Sequence, residues 1–333
     1  MRNITTIRSM LQHKRPANTN GEVTWIERWI DPLGCDKDAY GNRYIIIGNQ
    51  PTTIYSSHTD TVHHNEGRIK LKIKSGIISC KKSSCLGADD GAGVYIMREM
   101  IKKGVKGIYI FHREEECGMG GSAYMVKTSP PFMANVNKVV AFDRKGTQDI
   151  INRQGGRRTA SDTFCISLAS MIGMGHVPCT GVFTDSESYA DDIPECTNLS
   201  VGYEHAHSSN EYLDTDYLFE LTRRMIKIGN DIDGIPPERD HTIVDTSYGK
   251  WWDDQYHYGS YSNSYDRVFG KGLHDKPTAK KDRSQWTIGR DSEDALSNDY
   301  EDMLVMVKDY PELAASLLID EGITRDDFQS YVI

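Results

Sequence analysis

No apolar run in this 333-residue chain approaches the roughly 20 residues needed to span a bilayer. Residues 1–15 lack an uninterrupted apolar core and a small-residue cleavage site, so no secretory signal is expected. A basic excess is missing too. Lys and Arg number 39 against 48 Asp and Glu, a net charge of −9, which speaks against general binding to nucleic acid or an anionic membrane. The seven cysteines are odd in number and contain no CxxC pair. Disulfide frameworks and thiolate zinc sites call for such pairs, so a reduced, cytoplasmic protein is expected. Internal repeats are also lacking. The Gly-rich stretch Leu86–Gly93 has neither the lysine nor the hydroxyl of a phosphate-binding loop, and Asp89 and Asp90 would repel phosphate.

What is present is a series of short, nearly continuous apolar runs: Tyr44–Ile47, Thr53–Ser57, Gly107–Phe111, Lys138–Phe142 and Asn198–Gly202. Such runs are strands covered on both faces. Between them, Val94, Met97 and Ile101 recur at helical spacing within Ala92–Lys103, with Gly104 placed as a C-terminal cap. Asp216–Ile228 behaves likewise. The alternation of Ile69, Leu71 and Ile73 before Ser75-Gly76 predicts a β-hairpin over Arg68–Cys80. The expected fold class is α/β, a mixed, mostly parallel sheet flanked by helices. Residues 1–235 read as one α/β unit. After Pro236-Pro237 the composition shifts to Asp, Tyr, Ser, Gly and Lys, which predicts a linker or docking arm over 236–298. Helical spacing returns in a small tail over 299–333.

Five segments place a metal-type donor at or beyond the end of an apolar run: His58-Thr59-Asp60, Asp89-Asp90, Glu115-Glu116, Asp143 and His207. Imidazole and carboxylate are the ligands of catalytic zinc, and a spare carboxylate nearby can act as general base. An aspartate two residues beyond His58 can orient a metal-bound imidazole from behind. Three carboxylates in a row at Glu114–Glu116, beside a strand and glycines, are unfavourable in a buried site unless cations compensate. His207 heads the phrase His-Ser-Ser-Asn-Glu211, with His205 as a reserve donor. Each segment alone has a bland reading as a strand end, a helix cap or a solvated acidic loop; the five in series do not.

With these residues in view, the chain resembles the co-catalytic zinc exopeptidase superfamily, which includes peptidase T, acetylornithine deacetylase relatives and the zinc aminopeptidases. The resemblance covers roughly residues 1–230 and rests on Asp38–Asn42, His58-Thr-Asp60, Gly87-Ala-Asp-Asp90, Glu115-Glu-Cys-Gly118, Asp143 and His207–Glu211. The gaps of 31, 27, 27 and 64 residues between His58, Asp89, Glu116, Asp143 and His207 fit the superfamily's order. The resemblance implies two Zn2+ ions, with Co2+ or Mn2+ as substitutes, and a zinc-exopeptidase-like phosphorylase/hydrolase fold. Asp89 would bridge the ions, His58 and Asp143 would complete one shell, and Glu116 and His207 the other. Glu115 would act as general base toward a metal-bridging water, with Asp60 supporting His58. The Asp89–Asp90 peptide is expected to be cis.

Relatives such as peptidase T carry a lid or dimerisation domain between the positions of Asp143 and His207. The 63 residues from 144 to 206 are too few for it, which implies a compact, aminopeptidase-like form. The expected substrate is a peptide, or an N-acyl amino acid if the enzyme is a deacylase. The rival from another class is a non-catalytic binding or assembly protein, with the tail joining a second copy or a partner. A binding protein has no need of Glu115. Arg144, Arg153, Arg157 and Arg158 read either as holders of a substrate carboxylate or as solvated surface. Backbone amides around Gly118–Gly121 are candidates for an oxyanion site, and Cys117 reads as a packing residue.

Overall fold

The central strands form because their residues face cover on both sides; Tyr44–Ile47, expected to be covered likewise, is only half-buried and leaves Ile46 exposed. The computed structural model describes residues 4–80 and 85–243; most of the arm and the whole 299–333 tail lie outside the described residues. Thr53–His58, Gly107–His112 and Glu195–Ser200 are buried at every position, and Lys138–Arg144 at all but one. These four strands pair in parallel in the order 195–200, 138–144, 53–58, 107–112. Arg43–Ile47 extends one side antiparallel, and Asp149–Gln154 the other. Among the described residues the sheet counts nine strands, including Val177–Gly181 alongside Asp149–Gln154.

Alternation along the central strands sorts side chains into two layers. Ile54, Ile108, Ile110 and Val139 face a cluster with Met125, Tyr189 and Ile193. Tyr55, Tyr109, Phe111, Val140 and Phe142 join the larger core, shared with helices Ala88–Lys102, Asp162–Ile172 and Thr215–Ile228. The rings of Tyr55, Tyr109 and Phe142 lie with centroids 5.1 and 5.9 Å apart. Aromatic contacts of this kind add to the burial of apolar area that holds helix on sheet. At Gly93 the helix lies close against the sheet. A Cβ there would stand 2.2 Å from the Phe142 carbonyl and 2.5 Å from Ser57 Oγ, so only glycine fits.

The local expectations are met closely. Asp89 and Asp90 have non-helical backbone angles, so the regular part of helix Ala88–Lys102 begins only after them. Gly104 follows the helix at φ +67, in the left-handed conformation of a C-terminal stop. The hairpin pairs Leu71–Lys74 with Ile77–Cys80, and Ser75 and Gly76 both take positive φ, as a two-residue turn of the favoured hand requires. The strands Asp149–Gln154 and Val177–Gly181 and the helix Asp162–Ile172 were not anticipated; Asn152, Arg153, Gln154, Pro178 and Gly181 break the apolar pattern. No helix among the described residues is long and apolar enough to cross a membrane.

Candidate metal centre

Parallel strands bring their carboxyl ends to one edge, and the candidate donors follow. His58 ends its strand level with His112, and the residues before Asp143 run beside Tyr55 and Ser56. Asp89 arrives on the loop that opens the next helix. Its two oxygens face different imidazoles: Oδ1 lies 3.0 Å from His58 Nε2, and Oδ2 lies 3.1 Å from His207 Nε2. Asp143 Oδ1 stands 3.6 Å from the same nitrogen of His58. Glu116 Oε1 stands 3.1 Å from the same nitrogen of His207. Two donor sets therefore share one carboxylate. His205 stays outside, its ring 5.9 Å from that of Tyr212.

Asp90, the other member of the pair, is fully buried and serves the backbone. It accepts from the amides of His58 at 3.2 Å and Gly93 at 2.8 Å. The peptide between Asp89 and Asp90 is cis, as the resemblance implied. Asp60 is likewise fully buried. Its oxygens accept from the amides of Glu115 at 3.1 Å and Glu116 at 3.2 Å, and one lies 3.5 Å from His58 Nδ1. Glu114 is turned away from the centre and receives hydrogen bonds from Tyr40 and Asn18. That accounts for the third carboxylate without a cation.

The electrostatics are those of a site built for positive charge. Burial, reinforced by neighbouring carboxylates, pushes Glu116 up to about 7 and Asp143 up to about 6, and raises Glu115 well above the carboxylate range. Hydrogen bonds to Asp89 and Glu116 raise His207 to about 11. Burial would lower His58, yet Asp143, Asp60 and Asp89 together raise it well above its ordinary value. Glu116 Oε1 is buried, and the group facing it is His207 Nε2 at 3.1 Å. Three clusters gather ligand atoms within 4.8 Å of one another: Asp89 with Glu116 and His207, His58 with Asp90 and Asp143, and His58 with Glu115 and Glu116. Imidazole and carboxylate donors at this spacing suit divalent cations.

Several neighbours of the candidate donors had escaped the sequence reading. Thr184 Oγ1 donates to Asp143 Oδ2 at 2.5 Å, and Tyr203 donates to Oδ1 at 3.1 Å. Asn198 holds the Asp143 backbone through both its amide and its carbonyl, each at 2.9 Å. Glu211 is the largest omission. Its buried carboxylate accepts from four consecutive amides: Leu86 at 2.6, Gly87 at 2.9, Ala88 at 2.7 and Asp89 at 3.1 Å. The phrase His207–Glu211 had displayed this residue, but only the fold reveals what it clasps. Replacing Glu211 by Gln turns an amide NH2 toward two of those donors. It is expected to cost about 3 kcal/mol of stability, the scale of an unsatisfied buried group beside lost charged hydrogen bonds. Denaturant unfolding of the metal-free protein reads this directly; an unshifted midpoint would show that the carboxylate does not hold the loop.

Other readings need correction. The amides of Gly118, Met119, Gly120 and Gly121 are engaged with the carbonyls of Glu115, Glu114 and Arg113, so they are not available to an oxyanion. Arg144 pairs with Asp149, Arg157 with Glu187 and Asp191, and Arg158 with Asp162, while Arg153 bonds the Gly156 carbonyl. These cations are committed within the fold. Cys117, read as a packing residue, is exposed.

By sequence, no protein-family model and no curated protein matches this chain. By structure it is similar to a tripeptidase from Staphylococcus aureus, with a TM-score of 0.57 and 15% identity over 70% of this chain and 98% of the other. It is similar to the aminopeptidase PepT from Bacillus cereus, with a TM-score of 0.54 and 16% identity over 69% and 98%. A third match is the TET1 peptidase of Pyrococcus horikoshii, described as assembling into a tetrahedron or a large octahedral shell; the TM-score is 0.51, with 15% identity over 68% and 98%. With its mixed sheet between helical layers, this chain has the α/β fold of these peptidase structures.

Proposed function

We propose that this chain is a two-zinc exopeptidase that removes residues from short peptides with a free amino terminus. The observation that carries the reading is Asp89, whose two oxygens address His58 and His207 separately at 3.0 and 3.1 Å. His58, Asp89 and Asp143 would hold one ion, and Asp89, Glu116 and His207 the other. Bound there, the ions would supply Lewis acidity for the scissile carbonyl and a water of lowered pKa. Glu115 takes the proton of the attacking water on its carboxylate and releases it to the leaving amine nitrogen. Asp60 keeps Glu115 and Glu116 in register through their amides. Thr184 and Tyr203 orient Asp143. The assembly described for TET1 supports a homo-oligomer here as well.

Metal content and turnover test this together. Purified protein reconstituted with zinc is expected to hold two ions per chain and to hydrolyse di- and tripeptides, and a strong chelator should abolish turnover until zinc is restored. Preference for N-acyl amino acids over free-amino peptides would move the assignment to a deacylase with the same centre. Fewer than two tightly held ions, and no turnover on either class, would sink it.

A further inference from the structure

We propose that Arg15 is a positioning residue of the metal centre, tying the carbonyls of Thr59 and Gly87 together and so setting the separation of the loops that present His58 and Asp89. The inference rests on the two-metal reading above. The guanidinium is fully buried. Its Nε donates to Thr59 O at 2.8 Å and its Nη2 to Gly87 O at 3.0 Å. Thr59 follows His58 directly, and Gly87 precedes Asp89 by two residues. The main chain of Arg15 reinforces the first contact: its carbonyl accepts from the Thr61 amide at 3.0 Å, and its amide donates to Thr61 Oγ1 at 3.3 Å. One side chain from the N-terminal segment therefore bridges two loops that are about 30 residues apart in sequence.

The guanidinium has little freedom to wander. It lies over the buried Trp25 ring, 4.3 Å from the centroid, and Trp25 Nε1 is anchored to the Met10 carbonyl at 3.0 Å. A Cβ at Gly87 would stand 3.2 Å from Nη1, and one at Gly91 would stand 3.2 Å from Nη2. Small residues leave only the space that the guanidinium fills.

Burying a cation whose direct partners are neutral carbonyls is costly unless charge balances it. Among the described residues Nη1 has no acceptor. Burial pulls the guanidinium down from its ordinary value, and Asp90, Glu211 and Asp60 oppose that. All three of these carboxylates hold backbone of the ligand-bearing loops. Arg15 thus balances the acids that support the ligands, while cations in the centre would balance the acids that bind them. Lysine would not substitute, because a compact ammonium lacks the planar fork that reaches two carbonyls at once.

The test is zinc affinity of the full chain, measured by competition with a chromophoric chelator, for the parent, Arg15→Lys, Trp25→Phe and Ile172→Val. Ile172 is a buried core residue of helix Asp162–Ile172 and serves as a stability control. Arg15→Lys is expected to bind zinc 10- to 100-fold more weakly, the usual effect of removing a group that orients ligands from behind. Ile172→Val should lower the Tm without changing zinc affinity. A lower Tm with parental zinc affinity in Arg15→Lys would make Arg15 merely structural and overturn the proposal. If that variant does not fold, Trp25→Phe decides: severalfold weaker zinc binding supports the proposal, and parental affinity overturns it. A parent that binds no pair of zinc ions removes the functional reading and this one with it. A parent that binds two, beside variants of equal affinity, removes only this one.

Discussion

Glu115→Gln is expected to slow peptide hydrolysis by about 10²- to 10⁴-fold, the range of a general base, while the protein still binds two zinc ions. The substitution keeps the shape and removes the proton acceptor. The Glu115 backbone is held independently, its amide donating to Asp60 Oδ1 at 3.1 Å, so the loop should stay in place. The outcome also separates two roles for this side chain. Glu115 lies within 4.8 Å of ligand atoms on His58 and Glu116, close enough to act as a ligand itself. Metal analysis of the variant distinguishes them: two ions with lost turnover identify a base, whereas loss of one ion identifies a ligand. Parental activity would refute both.

Asp89→Asn should have the larger effect on metal. A carboxylate offers acceptors on both oxygens, whereas an amide offers one oxygen and a nitrogen that cannot bind a cation. The nitrogen must face either the His58 side or the His207 side, now 3.0 and 3.1 Å from the two oxygens. One ion should be lost or bound weakly, and turnover should fall by roughly 10³-fold or more, since in the proposed reading both ions would serve the same water and carbonyl. Burial opposes ionisation of Asp89, but hydrogen bonds from His207 and His58 outweigh it and hold the carboxyl well below its ordinary range. In the variant one imidazole keeps an oxygen acceptor, the other faces an amide nitrogen, and both lose the negative charge. Two tightly bound ions in Asp89→Asn would exclude a bridging role.

The legible parts of this molecule are those whose signal is local. Thr53–His58 and Gly107–His112 are covered on both faces, so their apolar runs are nearly continuous and their ends can be found within a residue or two. The strand read as Asn198–Gly202 runs instead from Glu195 to Ser200, because buried Thr197 and Asn198 use hydrogen bonds rather than apolar surface to sit inside. Asp149–Gln154 was invisible for a related reason. Gln154 bonds Ser186 and Thr159, and Asn152 bonds Asp162, so its polar residues are satisfied only by segments that arrive later in the chain.

The donors divide in the same way. His58, Asp89, Glu115, Glu116, Asp143 and His207 were named by residue type, order and position after apolar runs, and the choice between His207 and His205 came from a five-residue phrase. The sequence by itself determined an α/β chain with an acidic, histidine-bearing edge and a spare carboxylate beside a candidate ligand. Only the tertiary structure decided that Asp89 addresses two imidazoles, that Glu211 clasps four amides more than 120 residues away, and that Arg15 joins two loops. Side-chain alternation and helical spacing are written within a few residues. The distance between two loops depends on strand register, on the close helix–sheet approach at Gly93, and on buried polar groups that find partners only when the chain closes on itself.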